Sequence, residues 1–139
     1  MENENGIMFM IYELRRKCAS VDQRLMDDLE LSQSELLFFS ALDNCEKISS
    51  PELAKNMDLS PSRVSRVVDK LVNNGFLLRE VDPNDRRAIT LNLTEKGKHV
   101  KAQIDKGRQE CEAQLMEIMP DTDMKRFSEL VTKIVTTLK

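Results

Sequence analysis

Apolar side chains recur near the start of the chain at Ile7, Ile11, Leu14, Cys18, Val21 and Leu25, in alternating steps of four and three residues. The mean step of about 3.5 residues is that of a helix seam packed along another helix. Glu13, Arg15, Arg16, Lys17, Asp22 and Arg24 occupy the intervening face. After Leu29-Glu30-Leu31, Ser32 and Glu35 stand at the spacing of a reciprocal helix cap. They predict a helix from Glu35 to about Asn44. Its residues Leu36, Leu37, Phe38, Phe39, Ala41 and Leu42 are dense enough that burial on most sides is expected.

The pattern then shortens. Ser49 and Glu52 repeat the capping spacing and open a helix whose inward positions are Leu53, Ala54 and Met57, with Asp58 turning the chain. Ser60 caps the next helix, and Pro61 sits in its first turn, where a missing N–H costs nothing. Val64, Val67, Val68, Leu71 and Val72 form its apolar face, and Asn73-Asn74-Gly75 ends it. Ser62, Arg63, Ser65, Arg66, Asp69, Lys70 and Asn73 form the opposite face. Two β-rich runs, Phe76–Val81 and Ala88–Leu93, flank Asp82-Pro83-Asn84-Asp85-Arg86-Arg87, and Ile89, Leu91 and Leu93 alternate inward. Ile48 is placed to pair as a minimal third strand. Together these elements read as a winged helix-turn-helix, a unit that reads DNA.

Beyond the wing, Thr94 is placed to cap a long helix marked by Val100, Ile104, Cys111, Leu115 and Ile118. Pro120 breaks it. A last helix from Asp121 or Thr122 carries Met124, Phe127, Leu130, Val131, Ile134, Val135 and Leu138 on one side. The small central unit has little room for that stripe, so the terminal helices of two chains are expected to interleave in a two-fold homodimer. The fold class is therefore mainly α with a small β-wing. Residues 1–31 form an N-terminal dimerisation helix and residues 32–97 the winged unit, with the recognition helix about 60–74 and the wing about 76–93. Residues 98–139 supply C-terminal dimerisation helices.

Charge qualifies this picture. The net charge is −3. Residues 1–48 hold 5 basic and 10 acidic side chains (−5), residues 49–97 hold 8 and 7 (+1), and residues 98–139 hold 8 and 7 (+1). DNA binding must then come from where individual cations point, since overall attraction will not supply it. With aromatic content of 4% and no Trp, the core is aliphatic and Met-rich. No run suits a membrane span or a signal peptide, and the three scattered cysteines, Cys18, Cys45 and Cys111, make no disulfide framework. A soluble cytoplasmic protein with buried structural cysteines is expected.

The wing run Asp82-Pro83-Asn84-Asp85-Arg86-Arg87, followed by Leu91-Asn92-Leu93-Thr94-Glu95-Lys96-Gly97, resembles the DxR…LTxxG signature of the MarR (multiple-antibiotic-resistance regulator) family. Ser49-x-x-Glu52-Leu53-Ala54 and Ser60–Leu71 are similar to that family's helix-turn-helix, and the outer helices to its dimerisation arms. The resemblance runs from about Ile7 to Leu138. Asp58 departs from it, standing where many such turns carry Gly; Asp tolerates the left-handed conformation at modest cost. The resemblance implies a cytoplasmic bacterial transcription factor, commonly a repressor, that binds a pseudo-palindromic operator as a dimer. Release would come from a small-molecule effector or, in some members, from cysteine oxidation. In the peroxide-sensing branch the reactive cysteine lies near the start of the first helix; the matching position here is near Met8, so that role does not carry over.

The candidate DNA contacts follow from chemistry. Arg63 and Arg66 suit paired hydrogen bonds to guanine in the major groove. Ser60, Ser62 and Ser65 suit phosphate or base contacts near the helix start, and Lys70, Lys55 and Arg79 suit phosphate neutralisation. Arg86 and Arg87 lie at the wing tip, where an arginine enters a narrow minor groove. By resemblance Arg87 is the inserting residue and Asp85 its support. Met8, Met10, Met26 and Met116 are candidates for an adaptable effector pocket, against plain core filling. His99 is the chain's one histidine, and no C-x-x-C or H-x-x-x-H spacing accompanies it. No metal or cofactor is expected, and no nucleophile–base set or Gly-rich phosphate loop points to an enzyme. Two alternatives remain: a winged-helix module that binds protein, favoured by the acidic balance, and a cysteine-based redox regulator of the same fold.

Overall fold

A computed structural model describes residues 6–42, 47–81, 83–84 and 89–139. The order of elements is α1 (Ile7–Leu29), α2 (Gln33–Ala41), β1 (Lys47–Ser49), α3 (Ser50–Met57), α4 (Pro61–Asn73), β2 (Leu77–Val81), β3 (Ile89–Leu93), α5 (Glu95–Ile118) and α6 (Asp121–Thr137). The chain forms two compact units, Met1–Asp105 and Lys106–Lys139.

The first unit is built as the caps predict. Ser32 accepts from the Glu35 N–H at 3.3 Å, and the Glu35 carboxylate accepts from the Ser32 N–H at 3.3 Å. This reciprocal use satisfies a carboxylate that is otherwise buried. At α3 the structure shows only the serine's half of the expected arrangement, Ser49 Oγ accepting from the Glu52 N–H. Ser60 Oγ accepts from the Arg63 N–H, with Pro61 in the first turn of α4. Asp58 takes the left-handed conformation at φ 51° and ends α3. Gly75, at φ 80°, follows α4, where the Gly75 N–H reaches the Val72 carbonyl and the Phe76 N–H the Leu71 carbonyl. That pair of bonds is the Schellman closure favoured by glycine.

The sheet is antiparallel in the order β1-β3-β2. Ile48 lies opposite Leu91 in β1, which makes the expected third strand. In the wing, Leu77 lies opposite Leu93 and Val81 opposite Ile89. The core gathers Leu36, Phe38, Phe39, Leu42, Leu53, Val64, Val68, Leu71, Leu77 and Leu91. Phe39 packs edge-on to both Phe38 and Phe76, with centroids 5.4 and 5.8 Å apart. Val100 and Ile104 of α5 are buried in the same core, which carries this unit past residue 97 to Asp105. Gly97 is required by the packing, because a Cβ there would lie 2.2 Å from the Phe76 carbonyl oxygen.

Helix α2 is buried on most sides as expected, with Leu36, Phe38 and Phe39 in the core; Leu37 is exposed on its outer flank, and the helix ends at Ala41. Cys18 is exposed, where burial was expected, because only the last turns of α1 (Leu25, Met26, Leu29) reach the core; Cys111, on α5, is half-buried. Cys45 lies outside the described residues. The N-terminal seam of α1 is uncovered within the chain, with Ile7, Ile11 and Leu14 exposed. In the second unit, Pro120 separates α5 from α6 as expected, and α6 has no buried residue.

Candidate nucleic-acid interface

Helix α4 is divided cleanly by its period. At 3.6 residues per turn, Val67, Leu71, Val64 and Val68 fall within about 100° of arc, and all four are buried. The remaining arc, apart from the half-buried Val72, is exposed and sorts by charge. Going round it, Ser65 and Asp69 come first, then Ser62 and Asn73, then Arg66, Lys70 and Arg63. The three cations therefore share about 60° of one flank. Ser60 and Ser62 meet at 3.2 Å between hydroxyl oxygens at the helix start. Rigid apolar packing behind and mobile cations in front suit this face to the phosphates and base edges of a major groove.

Two cavities flank the helix. One, of about 550 Å³, runs between the first turn of α2 (Gln33, Ser34, Leu37) and the α4 residues Arg63, Arg66 and Val67. The other, of about 470 Å³, lies between the start of α3, the Ser65–Asp69 flank of α4, and Arg79 and Ile89 of the wing. The exposed Leu37 thus borders the cationic flank. Gln33 and Ser34 do so as well, and their position beside Arg63 depends on how α2 crosses α4, which linear spacing does not reveal.

Arg79 is not a free phosphate neutraliser. Its guanidinium donates to the Asp69 carboxylate, and the two charges cancel where β2 runs beside α4. Lys70 and Lys55 are exposed, in the last turns of α4 and α3. Strands β2 and β3 carry the wing outward, while Asp85, Arg86 and Arg87 at its tip lie outside the described residues. Met8 and Met10 are exposed at the start of α1, and Met26 packs on the core at its far end, 16 to 18 residues and so about 25 Å along the helix. Met116 is exposed in the second unit. Among the described residues no group of His, Cys, Asp or Glu side chains is placed to hold a metal ion, and no helix is long and apolar enough to cross a membrane.

A capped recognition helix with a cationic flank, a helical turn packed behind it and a three-stranded wing at its side define a winged helix-turn-helix protein. The MarR family model matches residues 31–89, the stretch from the end of α1 to the start of β3. The uncharacterised HTH-type transcriptional regulator YcgE of Bacillus subtilis (strain 168) is 31% identical over 101 residues, covering 72% of this chain and 66% of that protein. The transcriptional repressor MprA of Escherichia coli (strain K12) is 25% identical over 134 residues, covering 90% and 76%. The fold is shared with the crystal structure of NadR in complex with 4-hydroxyphenylacetate, at a TM-score of 0.76 and 14% identity over 100% of this chain and 98% of that one. The chain belongs to the MarR family.

Proposed function

We propose that the protein is a cytoplasmic transcriptional repressor that binds a pseudo-palindromic DNA operator as a homodimer and is released by a small-molecule effector. The observation that carries this reading is the exposed arc of α4, where Arg63, Arg66 and Lys70 share one flank opposite the buried Val64, Val67, Val68 and Leu71. Dimerisation is supported by the apolar stripes left uncovered on α1 and α6. The family relation to named repressors supports the regulatory role, and the 4-hydroxyphenylacetate held by NadR supports release by a small molecule. Mechanistically, two recognition helices must sit about one DNA turn, ~34 Å, apart. An effector that binds a different separation more tightly than this one draws the population away from DNA.

The test is a salt-titrated mobility-shift assay on the fragment upstream of the protein's own gene. The parent should bind with an affinity that falls linearly in log salt. Arg66→Ala should lose about 1–3 kcal/mol on that fragment and narrow the gap to random duplex. Matching isotherms for parent and variant on both DNAs would remove Arg66 from the interface. The acidic balance, −3 overall, favours a second reading as a protein-binding module. Salt-independent behaviour with no preferred DNA would select it.

A further inference from the structure

The end of α4 is held by the start of α5. The Schellman closure uses the Leu71 and Val72 carbonyls and leaves those of Asn74 and Gly75 without helical partners. Both are taken by side chains that follow the wing. Lys96 Nζ donates to the Asn74 carbonyl at 2.9 Å, and Thr94 Oγ1 donates to the Gly75 carbonyl at 2.5 Å. The same ammonium lies 4.6 Å from the centroid of the Phe76 ring. Thr94 also caps α5, accepting from the Gly97 N–H at 3.1 Å, while its own N–H reaches the Phe76 carbonyl at 3.0 Å. The missing side chain of Gly97 lets the two backbones meet.

We propose that Lys96 is a positioning residue for operator recognition, which ties the C-terminal end of the recognition helix to the N-terminal end of α5 so that the two turn as one body. This rests on the DNA-binding reading above. An ammonium at the negative end of α4 is favoured by the helix dipole, and the ring face of Phe76 adds a second attraction from the side. Together they restrain both tilt and rotation. Arg63 lies eleven residues before Asn74, about 16 Å along the axis. A tilt of about 10° at the joint would swing that turn by about 3 Å, whereas a binding constellation tolerates about 0.5 Å. Lys96 therefore governs base contacts from the end of the helix remote from them. An exposed lysine that touched phosphate would instead act through its charge on the DNA, and the two roles differ in what they leave unchanged.

The experiment compares the full-length parent, Lys96→Met and Lys96→Arg on the upstream fragment and on random duplex across a salt series. Amide hydrogen exchange at Gly75 and Phe76 and thermal unfolding are measured alongside. Lys96→Met keeps the stem over Phe76 and removes the charge and the donor. It should bind the upstream fragment about three- to tenfold more weakly. Its random-duplex affinity and salt slope should match the parent's, and exchange at Gly75 and Phe76 should be faster. Lys96→Arg should restore most of the loss, since arginine also donates and stacks on a ring. A salt slope reduced by about one, with equal weakening on both DNAs, would make Lys96 a phosphate contact and overturn the proposal. Equal weakening at unchanged slope with a lowered unfolding temperature would reduce it to a stability role, and parent-like behaviour would remove it altogether. A parent that shows no preference for the fragment defeats the DNA-binding reading and the positioning role with it, while the exchange rates still report whether the joint exists.

Discussion

In α4 the apolar residues at 64, 67, 68 and 71 are all buried within the first unit, whereas in α6 Phe127, Leu130, Val131 and Ile134 recur at similar spacing and all stay exposed. Both helices are amphipathic, and neither pattern by itself says what covers the stripe. A stripe of that width has to be buried against something. For α4 the cover is the core of its own chain: Phe39, Leu53 and Leu77 are all contributed by neighbouring elements of that unit. For α6 it is the proposed second copy. The difference separates a face covered by its own chain from a face that stays open within it.

The sharpest way to probe this contrast is to damage each cover in turn. Phe39→Ala removes a ring that is fully buried between Phe38 and Phe76. It should cost about 3–5 kcal/mol, read as a fall in the urea midpoint, because the rigid surround cannot collapse into the hole. Ile134→Glu should act differently. Placing a carboxylate in the proposed dimer seam should cost at least about 2 kcal/mol per copy and shift the sedimenting species to monomer. The helical signal and core packing of the first unit should survive. If the mass stays that of a dimer, α6 is not the seam; if the parent is already monomeric, the stripe has another cover.

The smallest effect tests the cap that fixes where α4 begins. Ser60→Ala should lose about 1 kcal/mol in the same urea titration, because the Arg63 N–H loses its acceptor. Its operator affinity should fall by more than its stability does, since the Ser60 and Ser62 hydroxyls stand together at the helix start. Equal changes in both would limit Ser60 to capping.

Much of the first unit was legible before any coordinates. The serine caps at Ser32, Ser49 and Ser60, the proline at position 61 and Gly75 after α4 are local signals, and local signals survive folding because their partners are two to four residues away. The alternation of Ile89, Leu91 and Leu93 was readable because a strand's two-residue period is likewise local, whereas the strand at Ile48 is completed by Leu91 far along the chain. The exposure of Leu37 was not readable, because α2 is dense in apolar residues and only its crossing with α4 chooses which one is left outside. Arg79 looked like any exposed cation of a wing; its pairing with Asp69 joins residues ten apart on different elements. Of the methionines, Met8 and Met10 are separated from Met26 by the length of α1, a distance that composition does not register.

What the chain determined alone is therefore short-range: where helices begin and end, which residues share a face, and which cations ride on the recognition helix. Those follow from period and capping chemistry, which need no distant partner. Tertiary structure decided which faces are satisfied at home, which charges are spent on each other, and how Lys96 and Thr94 come to close the end of a helix twenty residues upstream. Such contacts depend on how α4, the wing and α5 pack together, and no spacing along the chain encodes that packing directly.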